Sequence, residues 1–221
     1  MARCVWVIGA ALIGLVALGQ AEAVTISTTL GQQDFTDGQV PVGSATFNAA
    51  SVGEPVPFDQ FYGADSLAGP DFSKPWTFSY SPVSTVLSAS ITLGILDNDS
   101  AAPGSQVASF TLDGSNDLTI LLDAAFEGAP GASNQYKVYT IPIPLSAFAA
   151  LTDGSATFSL TLQNAVNVLN QTVHNGAGLD FSTLDITAVD QPGGRVPEPP
   201  ALLLLAAGLG GLAAYTRSRR K

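Results

Sequence analysis

Ala89-Ser90-Ile91-Thr92-Leu93-Gly94-Ile95 alternates apolar and small or polar residues without a break. Ala89, Ile91, Leu93 and Ile95 fall on one side of an extended chain, and Ser90, Thr92 and Gly94 on the other. Successive side chains of a strand point to opposite faces, so the pattern predicts a strand with one face in a core and one in water. A helix needs apolar residues three and four apart, and sustained runs of that kind are missing from the region around it.

The same texture extends both ways. Trp76-Thr77-Phe78-Ser79-Tyr80 puts three aromatics on one face. Phe158, Leu160 and Leu162 alternate with Thr157, Ser159 and Thr161, and Leu184, Ile186 and Ala188 with Thr183, Asp185 and Thr187. Further strands are expected at 24–30, 107–112, 118–122 and 137–141, and one helical turn at 147–151. Ile141-Pro142-Ile143-Pro144 cannot lie in a central strand, because proline has no ladder donor. Asp37-Gly38, Asp113-Gly114, Asp153-Gly154 and Asn175-Gly176 are turn signals. About eight short strands with such turns predict an all-β fold, an antiparallel β-sandwich of the jelly-roll kind, over residues 24–190.

Residues 49–74 form a long, poorly periodic connection, and such connections are often functional or mobile. Its aromatics, Phe58, Phe61, Tyr62 and Phe72, are the better candidates for exposed stacking on a sugar. Trp76, Phe78 and Tyr80 alternate along one strand, and that placement reads as core.

Both ends carry labels. Arg3, the uncharged apolar stretch 5–18 and the small-x-small box Ala21-Glu22-Ala23 make residues 1–23 a secretory signal peptide, cleaved after Ala23. The stretch is short for a transmembrane span. The single cysteine, Cys4, falls inside this leader. The mature chain then has no thiol, which excludes a disulfide framework, a thiol nucleophile and a zinc–thiolate site. Gln191-Pro192-Gly193-Gly194 opens a linker, residues 191–195. Beyond it stand Val196-Pro197-Glu198-Pro199-Pro200, an apolar helix over 201–216 and the basic end Arg217-Ser218-Arg219-Arg220-Lys221. The helix is short for a bilayer, and the basic cluster stays cytoplasmic by the positive-inside rule.

Those three ordered elements resemble the PEP-CTERM sorting signal of exported bacterial proteins, over residues 196–221. The resemblance implies an exosortase as processing partner, cleavage in or near Pro197-Glu198-Pro199, and a Gram-negative producer that exports exopolysaccharide. Signal peptidase would be the partner at the other end. The protein would hold the membrane by its C-terminal helix at least transiently, then reach the cell surface or extracellular matrix.

The chain carries a formal charge of −10, and of its eight Lys and Arg only Lys74, Lys137 and Arg195 lie between the labels. An acidic domain of this kind repels phosphate backbones, which argues against a nucleic-acid partner, and attracts divalent cations. Asp97-Asn98-Asp99-Ser100 follows the most regular strand and gathers two carboxylates and two neutral oxygens on a turn. Asp97 and Asp99, completed by Asp180 from a late strand, suit a structural calcium, which takes six to eight oxygens. The other reading is an Asx turn that bonds its own backbone. Asp113-Gly114-Ser115-Asn116-Asp117 reads as a hairpin turn.

Catalytic machinery is hard to assemble from this inventory. His174 is the one histidine, and no Gly-x-Ser-x-Gly elbow occurs. A glycosidase needs two carboxylates, and Glu54 and Glu127 are available, but no spacing selects a pair. The expectation is an exported, non-enzymatic protein, structural or glycan-binding, associated with exopolysaccharide. The alternatives are a secreted glycan hydrolase using two carboxylates and an adhesin that meets a protein partner.

Overall fold

The computed structural model describes residues 23–40, 42–63, 70–97, 99–101, 104–163, 166–168, 171–173 and 176–190. Ala21, the linker at 191–195, Pro197, Glu198, Pro199, the apolar stretch 201–216, Asn98 and His174 lie outside the described residues. Ala23 lies within them, opens the first strand and pairs with Val189.

The elements run β1 (Ala23–Gly31), α1 (Ser44–Ala50), β2 (Ser73–Ser79), β3 (Val83–Leu96), β4 (Val107–Leu112), β5 (Asn116–Asp117), α2 (Thr119–Gly128) and β6 (Tyr136–Pro142). A 3-10 turn (Leu145–Leu151), β7 (Ser155–Leu162), β8 (Val166–Val168), β9 (Gln171–Val173) and β10 (Gly178–Asp190) complete them. The chain is all-β in character. Two four-stranded sheets run β1-β10-β3-β6 and β2-β7-β4-β5, and β8 and β9 form a separate hairpin. Every pairing is antiparallel. The pairs are nested: β1 lies beside β10, β2 beside β7, β3 beside β6 and β4 beside β5.

The inner faces of the two sheets share one core. Trp76 and Phe78 of β2, Phe110 of β4, and Phe158 and Leu160 of β7 meet Ile91, Leu93 and Ile95 of β3 and Leu184 and Ile186 of β10. Rings crowd its centre: Trp76 stacks on both Phe110 and Phe158, with centroids 6.2 and 6.1 Å apart. The indole Nε1 donates to the buried Ser182 Oγ of the opposite sheet at 3.1 Å, so its polar edge is satisfied inside the core. The alternation at 76–79, 89–95, 157–162 and 183–188 therefore marks strands, as the period-two reading predicts, while Tyr80 follows the end of β2.

One element differs in kind. Residues 118–122, expected as a strand, begin helix α2. Leu118, Ile120 and Leu122 alternate, but Ile120 is 80% exposed while Leu118, Leu122 and Phe126 are buried. Burial thus recurs every four residues, the spacing of one helix face. Asp117 Oδ1 accepts the Thr119 N–H at 2.9 Å and satisfies a donor that the first turn leaves open. The turn expected at 147–151 is the 3-10 turn, and β6, which ends at Pro142, is an edge strand, where a missing donor is tolerated.

The 32–63 segment is the second departure. It carries α1 and packs on the outer face of the β1-β10-β3-β6 sheet. Phe35, Val42 and Phe47 meet Leu96, Tyr136 and Phe181 there in a small satellite core. Two of the aromatics expected to be exposed are buried: Phe58 and Phe72 join the main core. Phe61 and Tyr62 are half-buried against the two cores. Tyr62 forms a bridge to Ala177, its hydroxyl donates to Asp59 Oδ1 at 2.6 Å, and Lys74 Nζ caps its ring at 3.7 Å. Burying these rings stabilises the loop more than presenting them to water, which is why they serve as pins.

Candidate functional site

The acidic turn after β3 comes first. Asp97 and Asp99 both adopt left-handed backbone conformations, φ 58° and 49°, which Asp tolerates better than most residues. The Asp97 carboxylate accepts the Asn134 N–H at 2.5 Å, and its own N–H donates to the Gln135 carbonyl at 3.0 Å. Ser100 Oγ accepts the Gly131 N–H at 2.6 Å and lies 3.0 Å from the Tyr139 hydroxyl. The turn is thus bonded to the loop that precedes β6, through contacts distant in sequence and not through the local backbone bond of an Asx turn. Asp113-Gly114 closes the β4–β5 hairpin with both residues at positive φ, and Asp113 Oδ1 accepts the Thr157 N–H at 2.8 Å.

Asp180 lies elsewhere in the bonding pattern. Its bonds run to Tyr136 and to the chain beyond β1. The register between β10 and β3 slips between Leu179 and Phe181, so Asp180 is the extra residue of a β-bulge. Leu179 keeps to the main core, while Phe181 joins the satellite core on the outer face. The Asp180 carboxylate lies on that outer side too, where Tyr136 donates its hydroxyl to Oδ2 at 2.7 Å. A second donor, the Asp34 N–H, meets the same oxygen at 3.1 Å.

Two glycines make room for this arrangement. Gly31 ends β1 at φ +74°, and a Cβ there would collide with the Asp180 carbonyl and the Phe58 ring. The turn at Gly31 carries Gln32-Gln33-Asp34 across the bulge. Gly94 lies under the Tyr136 hydroxyl and the Phe181 ring, and a Cβ there would strike both. The cluster is completed by Glu54, in the loop after α1, which accepts the Gln32 N–H at 3.3 Å.

The electrostatics of the cluster are one-sided. Asp180 is fully buried, with 0% of its surface exposed. Burial pushes its carboxyl up to about 6, against the lowering effect of its Tyr136 and Asp34 bonds, and the Asp34 charge adds to the rise. Glu54 is also raised, by desolvation first and then by Asp34 and Asp180, with its Gln32 bond opposing. Burial and the Asp180 charge hold the Tyr136 hydroxyl protonated, so it remains a donor. Two oxygens in the cluster, Asp180 Oδ1 and Asp34 Oδ2, are buried without a hydrogen-bond partner. The Phe35 N–H lies near enough to favour the charged form of Asp180 but leaves Oδ1 unbonded. Among the described residues, no three His, Cys, Asp or Glu side chains converge as a ready-made metal cage.

Of the residues singled out from sequence, Asp180 therefore lies in a buried polar cluster, while Asp97 and Asp99 shape a turn. Glu54 belongs to the cluster, whereas Glu127 is exposed on α2. Asp34, Tyr136 and the two glycines carry no sequence signal of their role, because the bulge and the satellite core bring them together only in three dimensions.

The outer faces of both sheets form a different surface. Thr29, Thr183, Thr92 and Thr140 stand in register across all four strands of the β1-β10-β3-β6 sheet. The hydroxyls of Thr29 and Thr183, and of Thr92 and Thr140, are each 2.8 Å apart. The next rows are Ser27, Asp185, Ser90 and Pro142, then Thr25, Thr187 and Ser88. The other sheet repeats the pattern with Ser73, Thr161 and Ser109, then Pro75, Ser159 and Thr111. Ser73 and Thr161, and Thr77 and Thr157, are paired at 2.8 and 2.9 Å. All these residues are exposed or half-exposed.

No known family matches this chain, and no curated protein matches its sequence significantly. Among the described residues, no helix is long and apolar enough to cross a membrane.

Proposed function

We propose that this chain is an exported, non-enzymatic jelly-roll β-sandwich of the cell surface or extracellular matrix, structural or glycan-binding and associated with exopolysaccharide. The observation that carries the reading is the pair of hydroxyl-studded faces. Strands lie about 4.8 Å apart and same-face residues about 6.7 Å along a strand, so each face is a regular, twisted grid of donors and acceptors. Asp185 is the one charged residue in the three rows that start at β1. Hydroxyls both donate and accept, so such a grid matches the hydroxyls of an extended polysaccharide, and Asp185 can accept from one of them. The strands hold the side chains in place, which lowers the ordering cost of binding.

The nested pairing of β1 with β10, β2 with β7, β3 with β6 and β4 with β5 supports the jelly-roll reading. It is the pattern of one long hairpin wrapped into two sheets as two Greek keys. Against a hydrolase, Asp180 is fully buried and out of reach of a glycan, and Glu54, the other raised carboxyl, is tied to the Gln32 N–H of the same cluster. Delivery rests on the two labels. Signal peptidase acts at Ala21-Glu22-Ala23, and an exosortase acts at Pro197-Glu198-Pro199 while the 201–216 helix holds the membrane of a Gram-negative cell.

The test is retention of the purified chain on a panel of immobilised polysaccharides. Retention is expected, and Thr92→Lys with Thr183→Lys, which sets two cations in the first row, should weaken it about tenfold or more. Release of reducing ends would favour the hydrolase. Binding to no glycan, with a surface protein captured instead, would favour the adhesin.

A further inference from the structure

The Asp180 carboxylate poses an electrostatic problem that its own bonds do not solve. It is fully buried, Oδ1 has no partner, and its nearest ionisable neighbours are Asp34, Glu54 and the Tyr136 phenol. Asp34 adds a second buried and unpartnered oxygen, Oδ2. Neither of the lysines that could help is available. Lys137 Nζ pairs with Asp37 at 3.4 Å, and Lys74 Nζ lies over the Tyr62 ring. A buried carboxylate oxygen left without a donor costs more than any ordinary hydrogen bond returns, and two on residues joined by the Asp34 N–H to Asp180 Oδ2 bond cost more still. Either a proton or a cation must answer them.

We propose that Asp180 Oδ1 and Asp34 Oδ2 are the protein carboxylate ligands of a structural calcium ion at the β10 bulge, with Glu54 adding negative field from the neighbouring loop. Main-chain oxygens and water fill the remaining positions, as a hard cation with an irregular shell accepts. Calcium is favoured over magnesium because two carboxylates on a bulge and a loop do not set up an octahedron. The ion would fasten the 32–63 segment to the sheet. Gly31, whose turn brings Asp34 over the bulge, and Tyr136, which fixes Oδ2 and so aims Oδ1, position the ligands. This site excludes Asp97 and Asp99, whose turn is bonded into the 131–135 loop.

The experiment is a thermal melt of the full chain at neutral pH, in millimolar calcium chloride against chelator. A ligand that binds only the folded state raises the melting temperature by mass action. The shift is expected in the wild type, absent in Asp34→Asn and Asp180→Asn, and intact in the Asp97→Asn, Asp99→Asn double variant. Asp34 is half-exposed on a loop, so Asp34→Asn keeps the reading open should Asp180→Asn fold poorly. Terbium luminescence sensitised by Tyr136 gives a second readout, and Asp34→Asn should quench it while Tyr136→Phe should dim it. No calcium shift in the wild type would overturn the proposal. So would a shift kept by Asp34→Asn, a shift lost in the 97/99 variant, or an equal shift from magnesium.

Discussion

Tyr136 reaches across a whole strand to Asp180. It belongs to β6, Asp180 to β10, and β3 lies between them, yet the hydroxyl meets Oδ2 at 2.7 Å. The bond passes over Gly94, the one point of β3 where the outer face has no side chain. A bulge, a glycine and a buried phenol thus form one unit that ties three strands together on the side away from the main core.

Gly94→Ala should break that unit. The new methyl would strike the Tyr136 hydroxyl and the Phe181 ring, both held by the satellite core. Overpacking of this kind costs about 1–3 kcal/mol. A chemical denaturation curve checks it: the midpoint should fall with the slope unchanged.

The contribution of Asp180 to stability runs with pH opposite to that of a paired carboxylate whose folded value is lowered. Its folded carboxyl is pushed up to about 6 against an ordinary value of 3.8, so the folded state holds the extra proton between those values. Without a bound cation, the group therefore adds stability as pH falls from about 6 to about 4 and adds none above 7. A carboxyl moved that far carries up to about 3 kcal/mol. Melts in chelator should show the rise on mild acidification, and Asp180→Asn should flatten it. Added calcium should reverse the trend, stabilising most at neutral pH and losing its effect as protons compete for the site.

Ser182→Ala should expose the cost of an unsatisfied group in the core. The Trp76 Nε1–H loses its partner and stays buried. The expected loss is about 1–3 kcal/mol. Trp76→Phe in the same background should recover part of it, because the orphan donor is then gone. A double-mutant cycle on thermal stability reads the coupling.

The strands were readable because burial imposed its period on the residues themselves. Ile91, Leu93 and Ile95 name their face, and so do Phe158, Leu160 and Leu162. At Leu118-Thr119-Ile120-Leu121-Leu122 the same letters fit two periods, and only the burial of Phe126 four residues on decides for a helix. The site was less readable. Asp180 could be placed at the start of a late strand, but the slip that turns its carboxylate outward is a property of the pairing with β3. Asp34 meets it only because Gly31 turns the chain back, and no local pattern in Gln32-Gln33-Asp34 announces a partner in β10. The loop aromatics show no period that would announce burial, yet Phe58 and Phe72 have a core within reach.

The two end labels predict a shorter protein in the producing cell. Cleavage after Ala23 and in or near Pro197-Glu198-Pro199 should leave a mass that lacks both Met1 and Lys221. Intact-mass analysis of protein recovered from the cell surface or the medium checks this, and a chain that keeps either end would place it elsewhere.

If the hydroxyl faces hold a polysaccharide, as proposed, co-sedimentation with purified, insoluble bacterial exopolysaccharide shows it most directly. The wild type should pellet with the polymer, and moderate added salt should not release it, because hydroxyl–hydroxyl bonds and not ion pairs hold it. Thr92→Lys with Thr183→Lys should remain in the supernatant while still melting cooperatively, at a slightly lower temperature because the two like charges stand opposite each other. A wild type that stays in solution, or a variant that pellets equally well, would contradict the account.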